Sequence, residues 1–273
     1  MSFVADLARL VHPAPALAVI ALSAALGAIL AAQAGEPPLG VRVVLTTLAV
    51  AGSQILTGAL NDWADRERDA VAQPHKPIPS GAVAPRAALL VAAFGVLLLV
   101  GASVPLGGVP LLLGLAASGS AVAYNLALSR TPLSVLPYLV SFGLLPLWVA
   151  AGVGVELERV AAAPLLVGPF AAAAHLANTV RDFDGDARLG SRNLAQLVGR
   201  RTAFGLAYGL ATGVGLGVGA AFLLGGQAGL PVLLLGAAGL VAVAQGIAGP
   251  QRLWTGMLVA AVCWTAAWAM ATG

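Results

Sequence analysis

Two sets of polar residues share one spacing. Asn61, Asp65 and Asp69 read N-x-x-x-D-x-x-x-D, and Asn178, Asp182 and Asp186 read the same, each 117 residues further along the chain. A basic residue follows each set, Lys76 after Asp69 and Arg192 after Asp186. On an α-helix, residues at i, i+4 and i+8 lie along one face, about 6 Å apart per step. Each set is therefore expected to form a carboxylate stripe at a helix end, extending that helix by about two turns. Asp62 and Asp184 add charge beside the stripes, in different registers. Clustered carboxylates repel one another and favour a counter-cation. Their hard oxygens suit Mg²⁺ or Mn²⁺ and not zinc. Mg²⁺ takes one or two carboxylates and fills its shell with water and substrate phosphate. Two such stripes with Lys and Arg nearby describe a diphosphate site bridged by metal. For a single stripe the plain alternative is a solvated loop laced with ion pairs such as Asp65–Arg68. The second copy in the same register argues against that.

The elements that must position these residues are membrane helices. The 273 residues are 59% hydrophobic and only 9% charged, with a mean hydropathy of +0.93. A soluble domain is about 25% charged, so this chain lacks the charge to cover a surface facing water. The 34 glycines fit close packing between membrane helices. Apolar runs of spanning length predict nine helices, over 14–34, 41–62, 86–104, 107–128, 132–153, 160–180, 202–225, 228–248 and 252–271. The first run exceeds the apolar region of a signal peptide and reads as a span. With the N-terminus placed in the cytoplasm, 12 of the 14 basic residues fall in cytoplasmic segments, and only Arg42 and Arg159 fall outside. That is a strong positive-inside bias. It puts both motifs on the cytoplasmic face and the C-terminus on the opposite side, in a membrane expected to be a prokaryotic plasma membrane. The basic residues flank apolar segments and form no patch or stripe, which argues against nucleic acid as a partner. Cys263 stands alone, so neither an intrachain disulfide nor a cysteine metal site is expected. The chain reads as one polytopic domain, 1–273. Within it, two four-helix groups over about 14–128 and 132–248 form a pseudo-repeat, with a ninth span over 252–271 appended.

At the motif residues the sequence resembles the UbiA superfamily of intramembrane prenyltransferases. "NDWADRERD" fits that family's N-D-x-x-D-x-x-x-D, "KPIPSG" is similar to the R-P-[LI]-x-x-G that follows it, and "RDFDGDARLGSRNL" resembles the second motif, D-x-x-x-D followed by G-[KR]-R-T-L. Nearly the whole chain is covered. The resemblance implies an all-α integral membrane fold, with nine transmembrane helices around a central cavity. It implies two Mg²⁺ ions, with Mn²⁺ as a substitute, holding the diphosphate of an isoprenoid donor whose tail lies in an apolar tunnel. Ionisation then yields an allylic cation that an acceptor captures. Carried over by position, Asp62, Asp65, Asp69, Asp182 and Asp186 are the catalytic and metal-binding candidates. Asn61, Lys76, Asn178 and Arg192 are candidate diphosphate contacts. The family's Y-x-x-x-K appears as "YNLALSR", with Tyr124 retained, Leu128 at the Lys position and Arg130 as the substitute cation. The second motif opens Asn178-Thr179 where many members have Asn-Asp.

Two other functions compete with prenyl transfer. Some superfamily members are terpene cyclases, in which the cation is captured within the donor. A divalent cation transporter would need carboxylates within its spans, whereas every carboxylate here falls at a predicted membrane face or in a loop. His175 lies one turn before Asn178 and reads as a buried, satisfied histidine in preference to a base. Arg9 and His12 read as interfacial, and Asn125 as a cavity-lining residue beside Tyr124.

Overall fold

The computed structural model describes residues 3–226 and 229–272. Its α-helices are α1 (Phe3–Arg9), α2 (Pro13–Gln33), α3 (Val41–Ala64), α4 (Arg66–Ala72), α5 (Pro85–Ser103), α6 (Gly108–Ala123), α7 (Leu136–Val153), α8 (Pro164–Arg181), α9 (Phe183–Arg188), α10 (Leu194–Val198), α11 (Arg200–Leu224), α12 (Leu230–Ala244) and α13 (Pro250–Thr272). No strand occurs among the described residues. Prolines open α2, α5 and α8, positions where the missing N–H has no helical partner to lose.

Eight helical segments are long and apolar enough to cross a membrane, and they coincide closely with eight of the nine expected spans. The exception is the expected span 160–180. There a 3₁₀ turn occupies Leu157–Val160 and helix α8 begins only at Pro164. Its 18 residues include Pro169 and, in the last two turns, His175, Asn178, Thr179 and Arg181. Those polar groups dilute its hydropathy, so α8 is not among the eight. Residue 228, where the eighth span was expected to begin, lies outside the described residues. The helix there runs from Leu230.

The chain forms two compact units, residues 1–129 with 144–161 and residues 130–143 with 162–273. In the first, α3 and α5 meet backbone to backbone. A Cβ added at Gly52 would sit 2.5 Å from the Leu99 amide nitrogen, and one at Gly95 would collide with the Leu56 nitrogen. Without lipid-excluded water to drive them together, membrane helices associate through such close packing of small residues. Trp148 fills the space over Gly114. In the second unit, Ala173 and Ala177 of α8 and Ala207 and Ala211 of α11 form a buried small-residue seam. Trp264 of α13 lies over Gly215 and Gly239 and donates its indole N–H to the Gly236 carbonyl at 3.2 Å. Large side chains such as Leu90, Leu97, Leu112, Leu216 and Leu234 are exposed, as expected where hydrocarbon is the solvent.

Candidate active site

Both motifs occupy the end of a long helix, and both bend there. Asp65 joins α3 to α4 with φ −92° and ψ 5°, and Asp182 joins α8 to α9 with φ −95° and ψ 13°. This is the bridge region, where many active-site residues sit. The i+4 hydrogen bonds persist through each bend. Asp65 N donates to Asn61 O at 2.9 Å and Asp69 N to Asp65 O at 2.8 Å, while Asp182 N donates to Asn178 O at 3.1 Å and Asp186 N to Asp182 O at 2.9 Å. The uninterrupted helical stripe expected from the spacing is thus a stripe bent at its middle carboxylate. A ψ near zero turns the following helix away from the axis of the first.

In the first unit, Asp62 is almost fully buried, and its Oδ1 accepts from Lys76 Nζ and pairs with His12 Nε2, each at 3.0 Å. Lys76 also donates to Asp69 Oδ2 at 2.7 Å. Burial is the largest influence on both Lys76 and Asp69. It pulls the ammonium down, but hydrogen bonds and charge from Asp69 and Asp62 outweigh it and leave Lys76 above its ordinary value. For Asp69 burial pushes the carboxyl up, and the neighbouring Asp65 and Asp62 add to that, so it stays raised despite Lys76. An ammonium has three N–H donors. Asp62 and Asp69 use two, and the third can serve a phosphate oxygen. Around this group is a cavity of about 270 Å³ lined by Arg9, His12, Pro13, Asp62, Lys76 and Pro77, among others.

Asn61 donates from Nδ2 to Asp65 Oδ2 at 3.4 Å and to Asn125 Oδ1 at 3.2 Å. Asn125 Nδ2 in turn donates to Thr57 O at 2.8 Å. Both amide hydrogens of Asn61 are thereby engaged within the protein. Asn125 belongs to a π-helical turn, Tyr124–Leu128, that ends α6. Such turns recur at functional sites.

In the second unit, Arg181 organises the start of the motif. It donates to Asn178 Oδ1 at 2.6 Å, approaches Asp182 Oδ1 at 3.4 Å, and lies over the Trp254 ring at 5.6 Å. Asp184 pairs with Arg200. Asp186 Oδ2 accepts from Asn193 Nδ2 at 2.9 Å. The backbones of two expected diphosphate contacts meet, with Arg192 N donating to Arg130 O at 3.0 Å. His175 is buried, as expected, and stacked on Tyr138, ring centroids 4.3 Å apart.

The spacing of carboxylates did not point to His12, Arg181 or Asn193. His12 is the only non-glycine residue with positive φ among those described, at 52°. That strained conformation is visible only in three dimensions, and it carries the ring to Asp62. Arg181 had a signal in its place three residues after Asn178 and beside Asp182. Asn193 had one too, since Asn193-x-x-Gln196 before an apolar run is a helix-start pattern.

Among the described residues, no three His, Cys, Asp or Glu side chains converge to cage a metal. A site for Mg²⁺ needs no such cage, because the ion keeps waters and takes substrate phosphate for most of its shell. Asp65, Asp69, Asp182 and Asp186 are hard oxygen donors, and the donor set fits that ion.

Comparison with known proteins bears on the whole chain. Residues 20–252 match the UbiA prenyltransferase family. The digeranylgeranylglyceryl phosphate synthase of Natronomonas pharaonis is 32% identical over 82% of this chain and 80% of its own length. A UbiA homologue from Aeropyrum pernix K1 superposes with a TM-score of 0.75 at 20% identity, covering 91% of this chain and 96% of that one. A UbiA homologue from Archaeoglobus fulgidus, solved with DMAPP and Mg²⁺, gives a TM-score of 0.75 at 17% identity, covering 96% and 97%. At these identities the structural likeness speaks to the fold.

Proposed function

Because this chain belongs to the UbiA prenyltransferase family, we propose that it transfers a prenyl group from an isoprenoid diphosphate to an acceptor, with Mg²⁺, at one face of the membrane it spans. The observation that carries this reading is the pair of bent carboxylate motifs at Asp65 and Asp182. Each ends a long apolar helix and each is braced by side-chain amides or cations.

The allylic C1–O bond breaks and its electron pair leaves with the diphosphate. The acceptor's nucleophilic atom bonds to C1 and gives up its proton. Bound Mg²⁺ would neutralise the charge that develops on the leaving group. Asp65 and Asp69 in the first motif, and Asp182 and Asp186 in the second, are the residues to hold it, with one ion per motif. Asp62 anchors Lys76 and His12 through its Oδ1, and Lys76 turns its remaining N–H toward phosphate. Asn61 orients the Asp65 carboxylate, and Asn178 holds Arg181 beside Asp182. Arg192 and Arg130 are the guanidinium contacts for diphosphate, whose oxygens they can meet in pairs, and Tyr124 lines the site. The apolar helices exclude water from the cation, which would otherwise be hydrolysed.

The two motifs read as copies of one device built by a repeat. The distribution of basic residues favours a cytoplasmic active face in a prokaryotic plasma membrane. Helix α8, 18 residues and so about 27 Å long, is close to the thickness of a bilayer core. Read as a ninth crossing, it places the N-terminus in the cytoplasm and the C-terminus outside.

The test is turnover of geranylgeranyl diphosphate by the full chain in lipid nanodiscs, with Mg²⁺ and a polar lipid extract as acceptor. Diphosphate release that needs both Mg²⁺ and the extract supports transfer. A cyclic hydrocarbon formed without extract would assign a cyclase instead, and no Mg²⁺-dependent turnover with any donor would overturn the reading.

A further inference from the structure

The last carboxylate of each motif accepts a hydrogen bond from a side chain further along the chain. For Asp69 the donor is the Lys76 ammonium, and for Asp186 one donor is a neutral amide, Nδ2 of Asn193 at 2.9 Å. Asn193 is 2% exposed and has an extended backbone, φ −65° and ψ 172°, immediately before α10. Its Oδ1 accepts from the Gln196 backbone N–H at 3.0 Å, as an N-cap does. That bond fixes the amide's polarity, because a carboxamide whose oxygen faces a backbone N–H must turn its NH₂ the other way. The NH₂ then meets Asp186. The loop is drawn back onto α9 by two further bonds, Ser191 N to Asp186 O at 3.0 Å and Gln196 Nε2 to Phe183 O at 2.7 Å.

We propose that Asn193 is the positioning residue of the second motif, using the N-cap of α10 as a fixed anchor to set the Asp186 carboxylate for a divalent cation. The Asn193 amide orients the carboxylate and adds no charge of its own. The inference rests on the metal role proposed for Asp186. Outer partners that orient a metal-binding carboxylate are worth about 10–100-fold in metal affinity.

The experiment titrates Mn²⁺ into the detergent-solubilised full chain with inorganic diphosphate, reading bound Mn²⁺ by electron paramagnetic resonance. Thermal unfolding is followed in parallel. Asn193→Ser keeps an equally good cap but is too short to reach Asp186. Asn193→Ala loses both the cap and the amide. The expected result is affinity lower by about tenfold or more in both variants, with the thermal midpoint lowered only in Asn193→Ala. In an Asp186→Asn background, Asn193→Ser should change the affinity no further. Wild-type affinity in Asn193→Ser, or a loss of affinity that follows the midpoint alone, overturns the inference and leaves the proposed function standing. Failure of the unsubstituted protein to bind Mn²⁺ overturns the metal site itself, and this inference with it.

Discussion

The ammonium of Lys76 lies 2.7 Å from the Asp69 carboxylate, and the same ammonium reaches Asp62 at 3.0 Å. One cation therefore separates two buried carboxylates that would otherwise repel. Lys76→Met should strip Asp69 of its ammonium, leave Asp62 with His12, and cost about 3–5 kcal/mol of stability, the usual penalty for breaking a buried pair from one side. Thermal unfolding in detergent measures it. Lys76→Arg should recover part of the loss.

The same pairing has a pH signature. Asp69 is held above the ordinary carboxyl value, and only its ionised form can take a cation. At limiting Mg²⁺, activity should fall on the acid side at a higher pH than an unperturbed aspartate would give. Removing Lys76 takes away the influence that lowers Asp69, so the acid limb of Lys76→Met should move to higher pH still. A limb that stays in place, or moves down, counts against Asp69 as a metal-binding group.

Asp65→Ala and Asp182→Ala should each reduce turnover by at least about 10²–10³-fold, the scale set by removing one group that stabilises developing charge. Both lie at helix junctions, so membrane insertion and expression should persist. Full activity in both variants would remove the two motifs from the chemistry.

Asn125→Leu should act at a distance through Asn61. It strips the acceptor from one Asn61 hydrogen and the donor from the Thr57 carbonyl. Leaving buried polar groups unsatisfied costs about 1–3 kcal/mol. The Asn61 amide is then free to rotate, and turnover should fall together with apparent Mg²⁺ affinity. A kinetic titration of Mg²⁺ at saturating donor reads the effect.

Gly52→Leu and Gly95→Leu should each push α3 from α5. The added side chain meets the backbone of the facing helix and no flexible side chain that could yield. A destabilisation of about 1–3 kcal/mol is expected. Asn61 to Ala64 ride on the end of the same α3, so activity should decline with the thermal midpoint.

Eight of the nine predicted spans were legible because apolar length is a local property of the chain, and the bilayer demands it of every crossing helix. The motif carboxylates were legible for a related reason. Spacing along one helix fixes which side chains share a face, and the equal offsets of 117 residues doubled that signal. The α8 segment was legible only as an apolar stretch. Its later start and its polar last turns showed where the run of hydrophobic residues gives way to the polar residues that lead into the second motif.

The sequence by itself determined a helical membrane protein with two matched carboxylate motifs, because periodicity, apolar run length and residue chemistry are carried by near neighbours. Only the tertiary structure decided which groups those carboxylates meet. Lys76 stands between Asp62 and Asp69, Asn125 fixes Asn61 across 64 residues, and the αL backbone of His12 delivers its ring to Asp62 across 50. Such pairings depend on where loops return and how closely helices pack. Sequence spacing encodes neither, since contacts between distant residues follow from the whole fold.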